Sequence, residues 1–484
     1  MFNSCWALFI SSLLLFLSTA NSGEIQDGKS FCNKPQLDIW ISSRPTKDLV
    51  IYWNFPIDYP DGWIGIYSQA PTKDSSDHLV YEKIPLKEKS GAVLTEVKLK
   101  RNFDVELKYD APTYLGYMAV AWKKTNGKDQ AIVATQLQTY PQWMKHYWNY
   151  IKDVPMNEIF LPGTHDSCSY EGILNSCEDD KSSVQQSTDF TSKARSLFDT
   201  SLRWLKKVPV VEEWSITQDQ DIKEQLISGI RYLDIRVKKD SKGYWTTHGY
   251  VTMEKLDEIL AQIVEFVLNT EKEIVIFDIH QLQSGIVTQQ DHFDFVNYLK
   301  SKLTVNGREL WVNPNAIEGV HWRATPQTII GNGKIIIAYP DDSFREDHNL
   351  DILWPKVHQY WGNKQNIDDL REYILETISE RKNRGSYKNT LTAVMAQLTG
   401  NLKKILDGSS EGLSEQAIEN CKKIHDLFLD DDLSLDTNVL AVDFFRIMGV
   451  VRLAFIWNER IYHKTKCDPR ETYSDSYYQK ILYP

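Results

Sequence analysis

The pattern that most constrains this fold is an alternation, after about residue 140, of short apolar runs with longer amphipathic segments. Short apolar runs predict buried strands, and apolar residues at helical spacing predict helices that pack on them. Strands joined by helical crossovers form a parallel sheet, which is open or closed as a barrel. The predicted strands are residues 230–237, 274–279, 334–339 and the start of 439–457, and the predicted helices are residues 253–269, 290–303 and the end of 439–457.

The first part of the chain has a different texture. Short β-rich runs alternate there with turn sequences such as Asn126-Gly127, and no convincing helical pattern appears. Several short strands without helices predict an antiparallel sandwich of roughly a hundred residues. The predicted strands are residues 37–41, 50–53, 63–67, 92–99, 114–122 and 131–137. We therefore predict an all-β sandwich at residues 23–138 and an α/β fold at residues 139–484.

The amino end has the pattern of a signal peptide. Residues 7–17 form an apolar run of suitable length, and small residues follow at Ser18, Ala20 and Ser22. This pattern predicts a signal peptide at residues 1–22 and a secreted, extracellular protein. Because no Lys or Arg precedes the run, retention as an anchor is an alternative, although the run is short for a membrane span.

The cysteine count fits an oxidising compartment. Of six cysteines, Cys5 lies in the predicted signal peptide, which leaves an odd number. At least one of the five is therefore unpaired or bonds to another chain. The short loop between Cys168 and Cys177 makes them the favoured disulfide pair, and Cys421 with Cys467 is a second expected pair.

The charge balance excludes some partners. The chain of 484 residues has a formal net charge of −11. This argues against broad nucleic-acid binding, which needs a concentrated basic surface to displace counterions. It also disfavours simple electrostatic docking on anionic lipid.

A group of polar residues, most of them at predicted strand ends, marks a candidate site. One histidine can accept a proton while another donates one, and an arginine can hold the oxyanion of a phosphoryl group. A carboxylate in an apolar strand is costly unless it is paired, so Asp443 is expected to have a partner. The residues concerned are His165, Arg236, His248, His280 and Asp443. Together they predict an acid–base site for cleaving a phosphodiester.

Short motifs in a fixed order carry a resemblance to a known family. They are residues 143–144, 160–167, 214–219, 225–236, 247–249, 273–278 and 442–444. By these motifs, residues from about 140 to 470 resemble the X domain of phosphatidylinositol-specific phospholipase C, in the branch without calmodulin-like and Y portions. The resemblance implies a distorted TIM-type β/α barrel. It also implies cleavage between phosphate and diacylglycerol, with the inositol 2-hydroxyl as internal nucleophile, to give a cyclic inositol phosphate.

The resemblance also implies a role for individual residues. His165 would be the general base on the inositol hydroxyl, and His248 would be the general acid on the leaving oxygen. Asp443 would orient His165. Asp166 would support Arg236 beside the phosphate.

Three further residues are expected to contribute to substrate binding. Asp234 lies two residues before Arg236 on the same strand and shares its face. His280 stands where bacterial relatives have lysine and the calcium-dependent enzymes have glutamate, so a contact with phosphate or inositol is one expectation and a structural role the other. Asp278 is expected on the same side of the strand.

No metal and no cofactor is predicted. In the calcium-dependent enzymes of this family the strand supplies carboxylate ligands, and asparagine follows the first histidine. Here Arg236 occupies one ligand position and Asp166 follows His165. A guanidinium beside the phosphate replaces the cation and would repel one. The resemblance therefore implies a calcium-independent site, similar to that of the bacterial enzymes.

Two alternatives from other classes remain open. In the first, the barrel binds inositol lipids or a protein partner without turnover. In the second, it is a divalent-metal phosphodiesterase of the glycerophosphodiesterase type with Asp166, Asp234 and His280 as ligands. The expected partners are phosphatidylinositol or a glycosylated inositol anchor, with transient contact to a membrane surface and no nucleic acid.

Other segments are less specific. Residues 61–67 and 115–122 faintly resemble immunoglobulin-like sandwiches found beside some phosphoinositide phosphatases, which implies a docking role. Residues 197–205 predict an amphipathic helix that packs on the barrel or touches a membrane. An aromatic cluster is expected at the junction between the two predicted domains, and its members are Tyr140, Trp143, Tyr147, Trp148 and Tyr150.

Overall fold

The structure is a computed structural model that describes most of the chain. The described residues are 35–71, 75–99, 106–170, 214–249, 251–317, 321–383, 389–400, 412–429, 433 and 436–463. The predicted signal peptide, the predicted amphipathic helix at 197–205, Cys32, Cys177 and Cys467 lie outside these residues.

Two antiparallel sheets form the first part of the molecule. Their strand orders are β1-β2-β5 and β4-β3-β6-β7. The strands are β1 Gln36–Ile41, β2 Asp48–Asn54, β3 Trp63–Tyr67, β4 Ile84–Pro85, β5 Ser90–Lys98, β6 Tyr114–Thr125 and β7 Lys128–Gln138. Ile39 and Ile51 of one sheet share a core with Ile64 and Ala119 of the other. No helix occurs among the described residues up to Gln138, so the predicted antiparallel, all-β arrangement is confirmed for them.

The first sheet also packs on the rest of the molecule. Trp40 and Tyr52 on its other face are buried and stack with ring centroids 4.6 Å apart. Both rings contact His425, at 4.9 and 4.6 Å. Beyond β7, Trp143 and Tyr147 are buried against Phe455, as the predicted junction requires.

Eight parallel strands form the main sheet of the second part of the molecule, in the order β16-β15-β12-β9-β8-β19-β18-β17. The strand bounds are β8 Leu161–Thr164, β9 Tyr232–Asp240, β10 Gly243–His248, β11 Val251–Lys255, β12 Val275–Leu282, β13 Thr304–Val305, β14 Arg308–Glu309, β15 Ile335–Ala338, β16 Leu353–Trp354, β17 His358–Trp361, β18 Thr392–Met395 and β19 Val439–Val442. Strands β10 and β11 form an antiparallel hairpin on β9, and β13 pairs only with β14.

The parallel sheet curls so that its edges approach each other. Its edge strands β16 and β17 are separated in the chain by residues 355–357 alone. Eight flat strands would span roughly 34 Å, whereas so short a linker reaches no more than about 15 Å. Gln359 of β17 also donates to Tyr232 of β9 and Asp278 of β12 across the interior. The sheet is therefore a curled barrel with a seam between β16 and β17.

Helices connect and cover the parallel strands. Their bounds are α1 Trp143–His146, α2 Trp148–Ile151, α3 Ile222–Ser228, α4 Leu256–Asn269, α5 Gln289–Lys302, α6 Pro326–Ile329, α7 Asp342–His348, α8 Ile367–Asn383, α9 Gly412–Leu427 and α10 Val450–His463. In α4, Leu256, Ile259 and Ile263 recur at helical spacing and are buried, which explains why this segment is a helix on the sheet. A capping box of Thr288 and Asp291 starts α5. In the described part of the chain, no helix is both long and apolar enough to cross a membrane.

Two sequence predictions need correction. The strand predicted at 274–279 continues to Leu282, so His280 lies inside β12 and does not follow it, because a bulge between Ile279 and Gln281 keeps the strand paired with β9. The predicted disulfides are also absent at the two cysteines that the structure describes. Cys168 and Cys421 are both buried as free thiols. Sequence spacing was a poor guide here, since it does not fix which way a thiol points.

Candidate functional site

The His165 turn begins directly at the end of β8. Asp166 has a left-handed backbone (φ 40°), a conformation that aspartate tolerates better than most residues, and the chain reverses there. The backbone N–H of Ser167 donates to the carbonyl of Asp234 on β9 (3.0 Å). The turn is thereby fixed to the neighbouring strand, and the His165 side chain is held at the mouth of the barrel.

Asp443 is the predicted partner of His165. Strands β8 and β19 pair in parallel with Thr164 beside Val442, so the next residue of each strand is again a neighbour. His165 Nδ1 lies 2.8 Å from Asp443 Oδ1. A carboxylate accepts, so Nδ1 carries the proton and Nε2 faces the site with its lone pair.

The pKa of His165 is raised above its ordinary value. Burial acts to lower the pKa of this imidazole, but the carboxylates of Asp443 and Asp166 outweigh burial by favouring the imidazolium. Arg236 opposes them in part. The side chain is therefore a stronger base than a free histidine, with its basic nitrogen directed away from Asp443.

Arg236 occupies the space between two carboxylates. Its Nε lies 2.9 Å from Asp166 Oδ1, and one terminal nitrogen lies 3.6 Å from Asp234 Oδ2. The same terminal nitrogen lies 3.2 Å from His165 Nε2. The acidic neighbours favour the guanidinium cation and raise the pKa of Arg236 against the effect of burial. Arg236 is thus a fixed positive charge beside the basic nitrogen.

His248 completes the site from the β10–β11 hairpin. Its Nδ1 lies 2.7 Å from the carbonyl oxygen of Ser215, which can only accept, so Nδ1 carries a proton. Its Nε2 lies 3.1 Å from Asp166 Oδ2. The two imidazole rings are 6.1 Å apart and nearly perpendicular. Asp166 therefore contacts both His248 and Arg236, and it lies 3.6 Å from His165 Nε2.

Some polar atoms at this point of convergence lack a hydrogen bond. Asp166 Oδ2 and Arg236 Nε are buried and, although ion-paired, neither makes a hydrogen bond to any described residue. Buried polar groups are normally satisfied, and exceptions concentrate at functional sites. The arrangement therefore has donor and acceptor capacity left for a ligand.

A second polar cluster lies beneath the first. Asp278 Oδ2 accepts hydrogen bonds from Tyr232 Oη (2.6 Å) and Gln359 Nε2 (3.2 Å), and Gln359 Nε2 also lies 3.2 Å from Asp234 Oδ1. Burial raises the pKa of Asp278 to about 8. Asp278 is buried below the two histidines, while Asp234 connects the two clusters because it also accepts from the Asp166 N–H (3.0 Å). His280, farther along β12, is half-buried, and its pKa is lowered by burial first and by Arg236.

Residues 215–219, which we call the support segment, hold the site from behind. Thr217 Oγ1 donates to the carbonyl of Asp166 (2.9 Å). Gln218 Nε2 donates to the carbonyls of His165 (3.0 Å) and Val442 (2.9 Å). The motif at 214–219 is part of the resemblance, but nothing in its residues indicates this role. An uncharged Thr-Gln pair gives little local indication in the sequence that it is buried or that it supports a site.

Gln397 is a second residue that the sequence did not indicate. It is buried, and neither of its amide atoms has a hydrogen-bond partner in the described part of the chain. Met395 pairs with Ala441, and the N–H of Ala396 still donates to Ala441. Gln397 thus lies just beyond β18, at the carboxyl end of the sheet, as Asp443 lies just beyond β19.

The predicted site residues are thus brought together at the carboxyl ends of the strands. Asp166, Arg236, His248 and Asp443 surround His165, with Asp234 beneath them. Within the described ranges, no group of three or more His, Cys, Asp or Glu side chains has the geometry to hold a metal ion.

Curated proteins with detectable similarity share one description. Human PI-PLC X domain-containing protein 1 is 26% identical over 335 residues, which is 66% of this chain and 92% of that protein. Human PI-PLC X domain-containing protein 2 is 27% identical over 57% of this chain and 84% of that protein. The resemblance found in the sequence is confirmed. The match spans nearly the whole of the first relative, so this chain is similar to complete PI-PLC X domain-containing proteins.

The solved structures are less similar to this chain in sequence than the curated proteins are. Phosphatidylinositol-specific phospholipase C from Listeria monocytogenes aligns with a TM-score of 0.42 and 16% identity, over 66% of this chain and 97% of that one. A Staphylococcus aureus enzyme of the same description aligns with a TM-score of 0.42 and 16% identity, over 64% and 96%. No family model matches the chain.

Proposed function

We propose that this chain is a phospholipase C-like phosphodiesterase that cleaves inositol phospholipids without a metal ion. The observation that carries the proposal is the convergence of His165, His248 and Arg236 on Asp166. Two imidazoles and a guanidinium around one point supply a base, an acid and a fixed positive charge. The names of the similar human proteins support the substrate class.

In the proposed reaction, His165 Nε2 removes the proton from the inositol 2-hydroxyl. The oxygen attacks phosphorus, the bond from phosphorus to the diacylglycerol oxygen breaks, and His248 Nε2 gives that oxygen its proton. The products are diacylglycerol and a cyclic inositol phosphate. An internal hydroxyl needs no recruited water, and good orientation can lower the barrier by ~7 kcal/mol or more.

The hydrogen bonds support this division of roles. His165 Nδ1 is committed to Asp443, so Nε2 is the nitrogen that can accept. His248 Nδ1 is committed to the Ser215 carbonyl, and Asp166 beside Nε2 favours a proton there. Activity then requires a neutral His165 and a charged His248, which gives a bell-shaped pH profile.

Arg236 supports catalysis without calcium. Its guanidinium stands between Asp166 and Asp234, where a divalent cation would need both carboxylates as ligands. A charge fixed in this way can neutralise the developing charge on the phosphoryl oxygens.

Product analysis with a chelator tests the proposal. We expect the purified chain with EDTA to form cyclic inositol phosphate from phosphatidylinositol vesicles, as followed by phosphorus NMR. His165→Ala and His248→Ala should each lower the rate by roughly 10²- to 10⁴-fold. The exposed His146→Ala is the matched control and should leave the rate unchanged.

Two results would contradict the proposal. If EDTA abolished turnover, a metal-dependent phosphodiesterase would replace it. If the folded wild-type protein bound inositol phosphate but released no product at any pH, the barrel would be a binding module. A glycosylated inositol anchor, assayed in parallel with phosphatidylinositol, distinguishes the two expected substrates.

We further propose that the protein is secreted and contacts membranes transiently, and that its first two sheets form an immunoglobulin-like docking sandwich. The apolar run at residues 7–17 supports secretion. Recovery of the protein from culture medium with an amino terminus near residue 23 tests the proposed secretion and removal of the signal peptide. Retention of the run in the recovered protein would contradict it.

A further inference from the structure

The support segment ends in a carboxylate that is buried between two cations from distant parts of the chain. Lys47 Nζ, in the turn between β1 and β2, lies 2.9 Å from Asp219 Oδ2. Arg446 donates from Nε to Asp219 Oδ1 (3.2 Å) and from a terminal nitrogen to the other oxygen. The side chain of Asp219 is 1% exposed. Burial acts to raise the pKa of Asp219, but Arg446 and Lys47 together lower it.

Lys47 reaches this position from a turn that is itself fixed. Its backbone is left-handed (φ 51°), and its N–H donates to the carbonyl of Arg44 (2.9 Å). Arg44 forms two hydrogen bonds to Glu415 of α9 (2.8 and 2.9 Å), and Ser43 Oγ donates to the carbonyl of Ser414 (3.0 Å). The turn of the first sheet is therefore docked on the barrel by more than the Lys47 contact.

The loop after Asp443 lies between the same turn and the support segment. Phe444 has a left-handed backbone (φ 45°), which is unfavourable for an aromatic residue. Its N–H donates to the carbonyl of Thr217 (2.7 Å). At Gly449, a Cβ would lie 2.5 Å from Trp40 Nε1, so the first sheet packs closely on the end of this loop. The strained conformation beside Asp443 thus depends on contacts from both sides.

We propose that Lys47 is a positioning residue of the active site, so that the first sheet is part of the catalytic unit. Lys47 acts through Asp219 on the support segment, which holds the backbone carbonyls of His165 and Asp166 and accepts from His248. Without Lys47, Asp219 keeps one cation, and the segment loses one of its two anchors. The kinetic part of this inference rests on the proposed function, and the structural part does not.

The closing experiment compares Lys47→Met with Arg44→Met. Both substitutions remove an ion pair between the same turn and the barrel, that of Lys47 with Asp219 of the support segment and that of Arg44 with Glu415 of α9. We expect Lys47→Met to lower kcat by roughly 10- to 100-fold with KM nearly unchanged, because small misplacements of catalytic groups have effects of this size. Arg44→Met should leave kcat within about twofold. Lys47→Arg should restore most of the rate, since it keeps the charge near Asp219.

The NMR signals of the His248 imidazole ring give a readout that does not require turnover. In Lys47→Met, the Nδ1 chemical shift of His248 should change, because the Ser215 carbonyl that accepts its hydrogen bond is no longer held in place. Arg44→Met should leave it unchanged.

The outcomes separate the two proposals. If the wild type released no product while the His248 Nδ1 signal moved only in Lys47→Met, the proposed function would fail and the positioning role would stand. If the two variants had equal rates and equal His248 signals, or if Lys47→Arg failed to restore either, the positioning role would be overturned.

Discussion

Arg231 lies just before β9 and Arg236 lies within it, and the environments of the two side chains differ in kind. Arg231 is fully buried, and its donors are satisfied by Glu273, Pro141, Leu226 and Ile230. Arg236 is 16% exposed, and its Nε lacks a hydrogen bond to any described residue. Arg231 is a structural cation in the interior at the base of the barrel. Arg236 lies at the mouth of the barrel and has a hydrogen-bond donor left that a ligand can use.

The two environments distinguish a structural charge from a functional one within the same barrel. Glu273 also accepts from the N–H groups of Met144 and Lys145, so the charge at the base joins the chain that enters the barrel to the sheet. Asp166 instead shares its carboxylate among Arg236 and two imidazoles. A saturated network specifies a fold, whereas an unsaturated one is costly without a ligand.

The largest expected effects differ between Arg231→Met and Arg236→Met. The first variant should lose mainly stability, and the second should lose mainly activity. Breaking a fully buried pair costs about 3–5 kcal/mol, so Arg231→Met should lose that much free energy of unfolding. Arg236→Met should lose less than half as much, because Arg236 is partly exposed and Asp166 keeps its contacts with His165 and His248. Turnover should fall on the order of 10³-fold in Arg236→Met. Urea denaturation and initial rates measure the two effects.

Double variants test the same difference between Arg231 and Arg236. Glu273→Leu added to Arg231→Met should restore only part of the stability, since no unpaired charge then remains but the N–H groups of Met144 and Lys145 lose their acceptor. Asp166→Leu added to Arg236→Met should restore no activity. Equal losses of stability in the two single variants would show that the contrast between the two arginines is wrong.

A smaller effect is expected at Asp278, in the cluster between the base and the mouth. Its folded pKa is raised to about 8, so the folded state keeps a proton that the unfolded state loses near pH 4. Stability from this group is therefore complete below about pH 4 and is lost as the pH rises toward 8. Asp278→Asn keeps an oxygen for Tyr232 and Gln359 and stays neutral throughout.

We expect Asp278→Asn to gain stability over the wild type as the pH rises from 5 to about 6.5, by roughly 2 kcal/mol. Thermal melting across this range measures the gain. The exposed Asp347→Asn is the control and should follow the wild type at every pH. A constant difference between Asp278→Asn and the wild type would mean that Asp278 is ionised in the folded protein.

The sequence predicted those parts of the molecule that depend on local pattern. Period and spacing predicted β9, β15 and β19, and the cost of a buried charge predicted a partner for Asp443. Contacts between distant positions were not predictable in this way. Lys47 and Asp219 are 172 positions apart, and nothing near either residue indicates the other. His280 was placed after its strand because a bulge is not visible in an apolar run.

The smallest expected effect is a difference in the free energy of unfolding between variants of two buried glutamines of the barrel. The Gln359 amide donates to Tyr232, Asp234 and Asp278, whereas neither amide atom of Gln397 has a partner among the described residues. Gln397→Leu should therefore raise the free energy of unfolding by about 1 kcal/mol, and Gln359→Leu should lower it. If Gln397 hydrogen-bonds the ligand, Gln397→Leu should also weaken binding of inositol 1-phosphate about tenfold in calorimetry. A more stable variant with unchanged affinity would leave Gln397 outside the binding site, and a less stable one would show that its amide is satisfied in the free protein.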